Sequence, residues 1–95
     1  MSDLPLRLIL FVAGSEPNSL LARKHLDVIC REDLGGDFEL QIVDILTDAA
    51  PALEHGVVVT PSLIATGRGA KVMIAGNLNN RDKVRMALDL PACAL

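Results

Sequence analysis

The positions from Leu6 to Val12, LRLILFV, are apolar except for Arg7. A strand with one wet face alternates, so a nearly continuous aliphatic run predicts a central strand covered on both faces. Ala13-Gly14-Ser15 ends it. Downstream, Ala22, Leu26, Ile29 and Cys30 recur at i, i+4, i+7 and i+8, one face of a helix, with Arg23, Lys24, Asp27, Arg31 and Glu32 on the other positions. Ser15 or Asn18 can cap this helix, and Pro17 suits its first turn, where a missing N–H has no partner to lose. Asp27 and Arg31 form an i,i+4 pair, and Gly35-Gly36 supply a left-handed stop. FELQIVDI, from Phe38 to Ile45, alternates at its start and then turns apolar, which predicts a second strand. Thr47-Asp48 can start a short helix through Ala49, Ala52 and Leu53, with Pro51 in its first turn and an end near His55-Gly56.

Val57-Val58-Val59-Thr60-Pro61 leads into SLIAT, then GRG, then AKVMIAG. Two β-prone runs around the loop Gly67-Arg68-Gly69 predict a hairpin. Asn79-Asn80 cap a last helix whose apolar face is Val84, Ala87 and Leu88, stopped at Pro91. The order β-α-β-α-β-β-α, with a right-handed crossover between the first two strands, is that of an α/β thioredoxin-like domain: a βαβ half and a ββα half sharing one sheet.

Ninety-five residues make one domain, 1–95, with its core at about 6–90. Two Phe and no Tyr or Trp mean an aliphatic core and no stacking platform for single-stranded nucleic acid. The net charge of −3 opposes binding to a phosphate backbone. Residues 1–56 carry the acid excess and 57–95 the basic one, a dipolar surface suited to a charged protein partner. Two cysteines with neither a C-x-x-C nor a regular framework give no secreted disulfide scaffold. Asp3 and Pro5 precede the first apolar run, which is too short for a membrane span and lacks a basic leader, so the cytoplasm is the expected compartment.

In a thioredoxin-like domain the redox dithiol lies where the first strand meets the first helix, because a helix N-terminus lowers a thiol pKa there. Here that junction reads Ser15-Glu16-Pro17-Asn18. If Pro17 is the proline of a C-x-P-C motif, Ser15 and Asn18 stand in both cysteine positions, and a hydroxyl and an amide cannot cycle as a disulfide. Ser15 as a nucleophile would need a base such as His25 or His55, and neither belongs to a hydrolase signature. Cys30, on the apolar stripe, reads as a small core hydrophobe; Cys93, in the Ala-rich tail, reads as a free thiol. His25 reads as a surface or rim residue, five positions from Cys30 and out of phase for a shared metal. No catalytic residue, metal site or cofactor is expected. Thr60-Pro61 falls where such domains carry a cis-proline, a trans proline starting the strand being the alternative. RDKVR, at 81–85, reads as a solvated basic helix face, with a docking role second.

LILFVAGSEPNS (Leu8 to Ser19), LQIVDIL (Leu40 to Leu46), VTPSL (Val59 to Leu63) and AGNLNNRDKVRMALDL (Ala75 to Leu90) together resemble the KaiB family of bacterial circadian clock proteins. The resemblance implies a non-catalytic binding module that docks, in a thioredoxin-like state, on the ring of a KaiC-like ATPase and so modulates a timing system. It also implies a second fold, with a rearranged C-terminal half and homo-oligomers, whose two packings differ by a few kcal/mol. The chain departs from the family in three places. A commonly proline-rich stretch reads IATGRGAKVMIA, which invites a hairpin and favours the thioredoxin-like packing. Gly-Asp-Leu becomes Gly76-Asn77-Leu78. The second strand carries Glu39 and Gln41 where Ala and Lys are common, which argues against capture of a KaiA-like third protein and leaves a KaiC-like ATPase as the expected partner. Lys24, Glu39 and Gln41 are the candidate contacts. The alternatives are a glutathione-dependent enzyme of the thioredoxin superfamily and a KaiB-like regulator of another ATPase or kinase.

Overall fold

The computed structural model describes residues 6–34, 38–66 and 71–88. Strand β1 (Leu6–Val12) lies inside a four-stranded sheet, flanked by β2 (Phe38–Asp44) and β3 (Ser62–Thr66); β4 (Val72–Ala75) pairs with β3. The spatial order is β2-β1-β3-β4. β1 runs parallel to β2, with Leu6 opposite Phe38, and antiparallel to β3, with Leu10 opposite Leu63. β3 and β4 form the antiparallel pair expected of a hairpin, Ile64 facing Met73. Its glycine loop, 67–69, lies outside the described residues, as do Gly35-Gly36, Pro91 and Cys93.

The unbroken apolar run of β1 serves two layers. Leu6, Leu8, Leu10 and Val12 enter the larger core with Ala22, Leu26, Ile29 and Cys30 of the first helical segment and Val84 and Leu88 of the last. Phe11 and the partly buried Ile9 enter a smaller core with Val43, Ile64 and Ala52. Helix α1 (Pro17–Ile29) therefore covers one face, together with α3 (Arg81–Ala87), and the six-residue α2 (Ala50–His55) covers part of the other. This is the thioredoxin-like arrangement expected from the order of elements. Leu63–Thr66 and Val72–Ala75 are strand, so the described chain holds this packing and not the one with a rearranged C-terminal half.

Local chemistry corrects several expectations. Neither Ser15 nor Asn18 caps α1: Glu16 does, its carboxylate accepting from the Ser19 N–H at 3.0 Å, which leaves Ser15 outside the helix and Asn18 within its first turn. α1 runs on into a π-helical turn, Cys30–Leu34. Thr47 and Asp48 form a turn back to the Asp44 carbonyl, so α2 starts only at Ala50. It stops at Gly56, whose φ of +72° suits the residue without a Cβ. Leu53 points to solvent and Ala52 inward. α3 is capped by Asn80 alone, whose side chain accepts from the Lys83 N–H at 3.1 Å. The RDKVR face is not freely solvated. Arg81 pairs with Glu32 at 2.9 Å, and the Arg85 side chain keeps 12% of its surface beside Asp82. Asp27 and Arg31 do pair, at 3.0 Å. Among the described residues, no helix is long and apolar enough to cross a membrane.

Candidate functional site

The pairing registers bring the ends of β1 and β2 and the start of β3 to one end of the sheet, where Val12 faces Asp44 and Phe11 faces Ser62. The end of β4, Ala75, faces Ser62 there too. The connections after β1, after β2, before β3 and after β4 all meet at this end.

One carboxylate organises two of them. Asp44 Oδ1 accepts from the N–H groups of Gly14 and Leu46, each at 3.0 Å. Gly14 has φ +56°, and a Cβ there would come to 3.0 Å from Leu46 Cδ1, so glycine serves both conformation and space. The buried Ser19 hydroxyl accepts from the Ala13 N–H at 3.0 Å and fixes the entry to α1. Across from this turn the Thr60–Pro61 bond is cis, Ser62 Oγ donates to the Val59 carbonyl at 2.7 Å, and the Gly76 N–H donates to the Pro61 carbonyl at 2.9 Å.

The positions a dithiol would take carry no sulfur. Ser15 is exposed, and the Asn18 amide oxygen accepts from the Asn77 side chain at 3.3 Å. His25 lies half-buried at the rim, as expected, and is anchored there. Its ring Nδ1 stands 2.7 Å from the Asn77 carbonyl, which can only accept, so that nitrogen carries the proton. His55 packs its ring against Phe11, with centroids 5.9 Å apart. Both histidines are thus engaged with groups other than Ser15. Cys30 is buried, and its thiol is pushed up to about 11, first by burial and then by the charge of Asp27. It is protonated at neutral pH and a poor nucleophile. Among the described residues, no group of His, Cys, Asp and Glu could hold a metal ion.

What this end of the sheet does offer is apolar surface. Leu46, Val58 and Val59 are 71%, 90% and 51% exposed on adjoining loops. Sequence reasoning missed them because the valine triplet reads as the lead-in to a strand. The usable signal was the proline that follows it, since a Thr-Pro step leaves the triplet before the sheet begins.

The contacts expected from the sequence do not converge. Lys24 is exposed on α1, over the larger core. Glu39 and Gln41 alternate with Phe38 and Leu40 and face the opposite side of the sheet. There Arg7, Ile9, Glu39, Gln41, His55 and Thr66 line an open groove of about 420 Å³, with Arg7 and Glu39 paired at 3.5 Å across its floor.

Comparison with known proteins decides the family. A model described as the KaiB domain matches residues 9–90. This chain belongs to the KaiB family. The circadian clock oscillator protein KaiB of Thermostichus vulcanus is 38% identical over 81 residues, 85% of this chain and 75% of that one. The circadian clock protein KaiB3 of a Synechocystis strain is 34% identical over the same length, 79% of its own chain. KaiB relatives are thus named as clock proteins, and the motifs singled out above lie within the matched span except for Leu8, at its edge. Among solved structures, a Fasciola hepatica thioredoxin superposes with a TM-score of 0.73 at 19% identity, covering 90% of this chain and 79% of that one. A malaria parasite thioredoxin-2 reaches 0.76 at 14% identity, covering 90% and 84%. At such identities the likeness concerns the fold alone.

Proposed function

We propose that this KaiB-family chain is a single-domain, non-catalytic docking protein of the cytoplasm that binds a KaiC-like ring ATPase and thereby modulates a circadian or related timing system. The observation that carries the reading is the end of the sheet where, among the described residues, no thiol stands. Where a redox relative would place two thiols, this chain places a hydroxyl, an amide and a projecting apolar group of Leu46, Val58 and Val59. Exposed aliphatic side chains on loops held by side-chain hydrogen bonds with Asp44 and Ser62 suit a protein partner, because they arrive already ordered and lose little entropy on binding. A glutathione-type enzyme that works through a thiol of its own needs an available thiolate, and Cys30, buried and with its pKa pushed up to about 11, is the wrong thiol for that work. Lys24 is assigned to a partner contact on the α1 side of the sheet, and Glu39 with Gln41 to a separate contact at the β2 edge.

The test is co-elution. The full chain mixed with a KaiC-like hexamer, in ATP and in ADP, is expected to move into the hexamer peak on size exclusion, while insulin-reduction and glutathione-transfer assays stay blank. Absence of any shift with either nucleotide removes the proposed partner, and a thiol-dependent turnover lost in Cys30→Ala replaces docking with catalysis.

A further inference from the structure

We propose that the apolar end of the sheet is charge-selective and takes a partner segment whose apolar side chains are flanked by Lys or Arg. The proposal rests on the docking reading above and names the chemistry of the segment that the ring would present. Residues 8–22, 44–66 and 72–80 supply the connections that meet at this end, and they contain no Lys or Arg. They do contain carboxylates, and three of these surround Leu46. Asp44 accepts from the Leu46 N–H, and Asp48 lies in the same turn, its own N–H donating to the Asp44 carbonyl at 3.0 Å. Glu16 follows two residues after Gly14, whose backbone lies against the Leu46 side chain. The stretches outside the described residues that adjoin strands, 1–5, 35–37 and 67–70, do so at the opposite end of the sheet.

Each of the three carboxylates is fixed through one oxygen. Asp44 Oδ1 accepts from the Gly14 and Leu46 N–H groups, Glu16 Oε1 from that of Ser19, and Asp48 Oδ1 from that of Ala50 at 3.3 Å. Among the described residues none of them meets a cation. A partner that covers Leu46, Val58 and Val59 also draws these carboxylates out of water. Desolvating an anion with no counter-charge is strongly unfavourable, so a neutral or acidic surround on the partner is rejected and a basic one accepted. The same charge repels phosphate, which disfavours an anionic lipid surface or a nucleic acid. Because backbone N–H groups already hold the carboxylates in place, pairing with Lys or Arg orders little further on this side of the contact.

Titration of the isotope-labelled full chain, read by its amide chemical shifts, tests this with three short peptides. One has a Leu-Val-Leu centre flanked by lysines, one has the same centre flanked by glutamates, and one keeps the lysines around Ser-Gly-Ser. The first is expected to move the signals of Leu46, Val58 and Val59 and to bind more weakly as salt is raised. The glutamate peptide should leave them in place, and the Ser-Gly-Ser peptide should bind at least about fivefold more weakly than the first. Glu16→Gln and Asp48→Asn each keep an accepting oxygen and should weaken the first peptide about two- to fivefold. Asp27→Asn removes the same charge from the exposed face of α1 and should leave its binding unchanged, which separates a local preference from net charge. The spectra themselves identify a variant that fails to fold, and Asp48→Asn alone then decides. The proposal is overturned by an equal response to the glutamate peptide, by shifts confined to other residues, by an Asp27→Asn loss as large as that of Asp48→Asn, or by silence with every peptide. No ATPase is present, so a failed titration leaves co-elution with the ring to stand or fall by itself. A successful titration beside a failed co-elution removes the ring and keeps the preference for basic flanks.

Discussion

Cys30 illustrates how one side chain couples packing to proton chemistry. It lies on the apolar stripe of α1 among Leu26, Ile29 and the β1 leucines, and removing its thiolate from water raises its pKa from 9.0 to about 11. The folded state therefore prefers the neutral thiol. Stability is unaffected below pH 9, where the unfolded chain is also protonated, and is lost as pH rises from about 9 to about 11. A preference of that size for the neutral form makes the loss on the order of 2–3 kcal/mol. Urea titrations across that range should show a falling limb in the parent chain that Cys30→Ala removes, after allowance for its own packing deficit. Asp44 is a second residue-scale case. Asp44→Ala strips the shared acceptor from the Gly14 and Leu46 N–H groups and should destabilise by about 1–3 kcal/mol, whereas Asp44→Asn, which keeps a carbonyl oxygen in place, should lose less; chemical denaturation distinguishes them.

At the scale of elements, the caps and stripes separate what a sequence can carry from what it cannot. β1, α1 and the β3–β4 pair were legible because burial on both faces, a 3.6-residue period and two β-prone runs around a glycine loop each leave a direct mark on residue type. The ends were less so. Glu16 captured the cap of α1 from Ser15 and Asn18 because Pro17 fixes the chain direction and leaves the Glu16 side chain within reach of the Ser19 N–H. Asn80 took the cap of α3 while Asn79 turned its own N–H to the Asn77 side chain at 3.1 Å, a choice two adjacent asparagines do not reveal. Asn80→Ala should therefore cost about 1 kcal/mol and Asn79→Ala much less, read from thermal melts of the two variants. The candidate site was half legible. The missing thiols are visible in the sequence, but the exposure of Leu46, Val58 and Val59 depends on how α2 ends and β3 begins. That is a tertiary fact about a six-residue helix too short to shelter them.

For the whole molecule, the division between a buried framework and the exposed end proposed to dock a partner makes stability and association separable. Leu10 is fully enclosed between β2, β3 and the helices, and Leu10→Ala removes transfer energy and leaves a cavity, about 2–5 kcal/mol from a domain that typically has 5–15 in all. Val58 touches little of the framework, being 90% exposed, so Val58→Lys should shift stability by no more than about 0.5 kcal/mol. Partner binding should respond in the opposite order. Leu10→Ala, at a temperature where it is still folded, should retain co-elution with a KaiC-like hexamer, because its loops keep the Asp44 tethers. Val58→Lys should lose it, because an ammonium replaces apolar surface at the contact and must be desolvated without a pair. Urea midpoints and size-exclusion profiles measured on both variants check the pair of outcomes together. Retained co-elution by a folded Val58→Lys would move the docking surface away from this end of the sheet and toward the faces that carry Lys24 or Glu39, while leaving the family and the fold as they are.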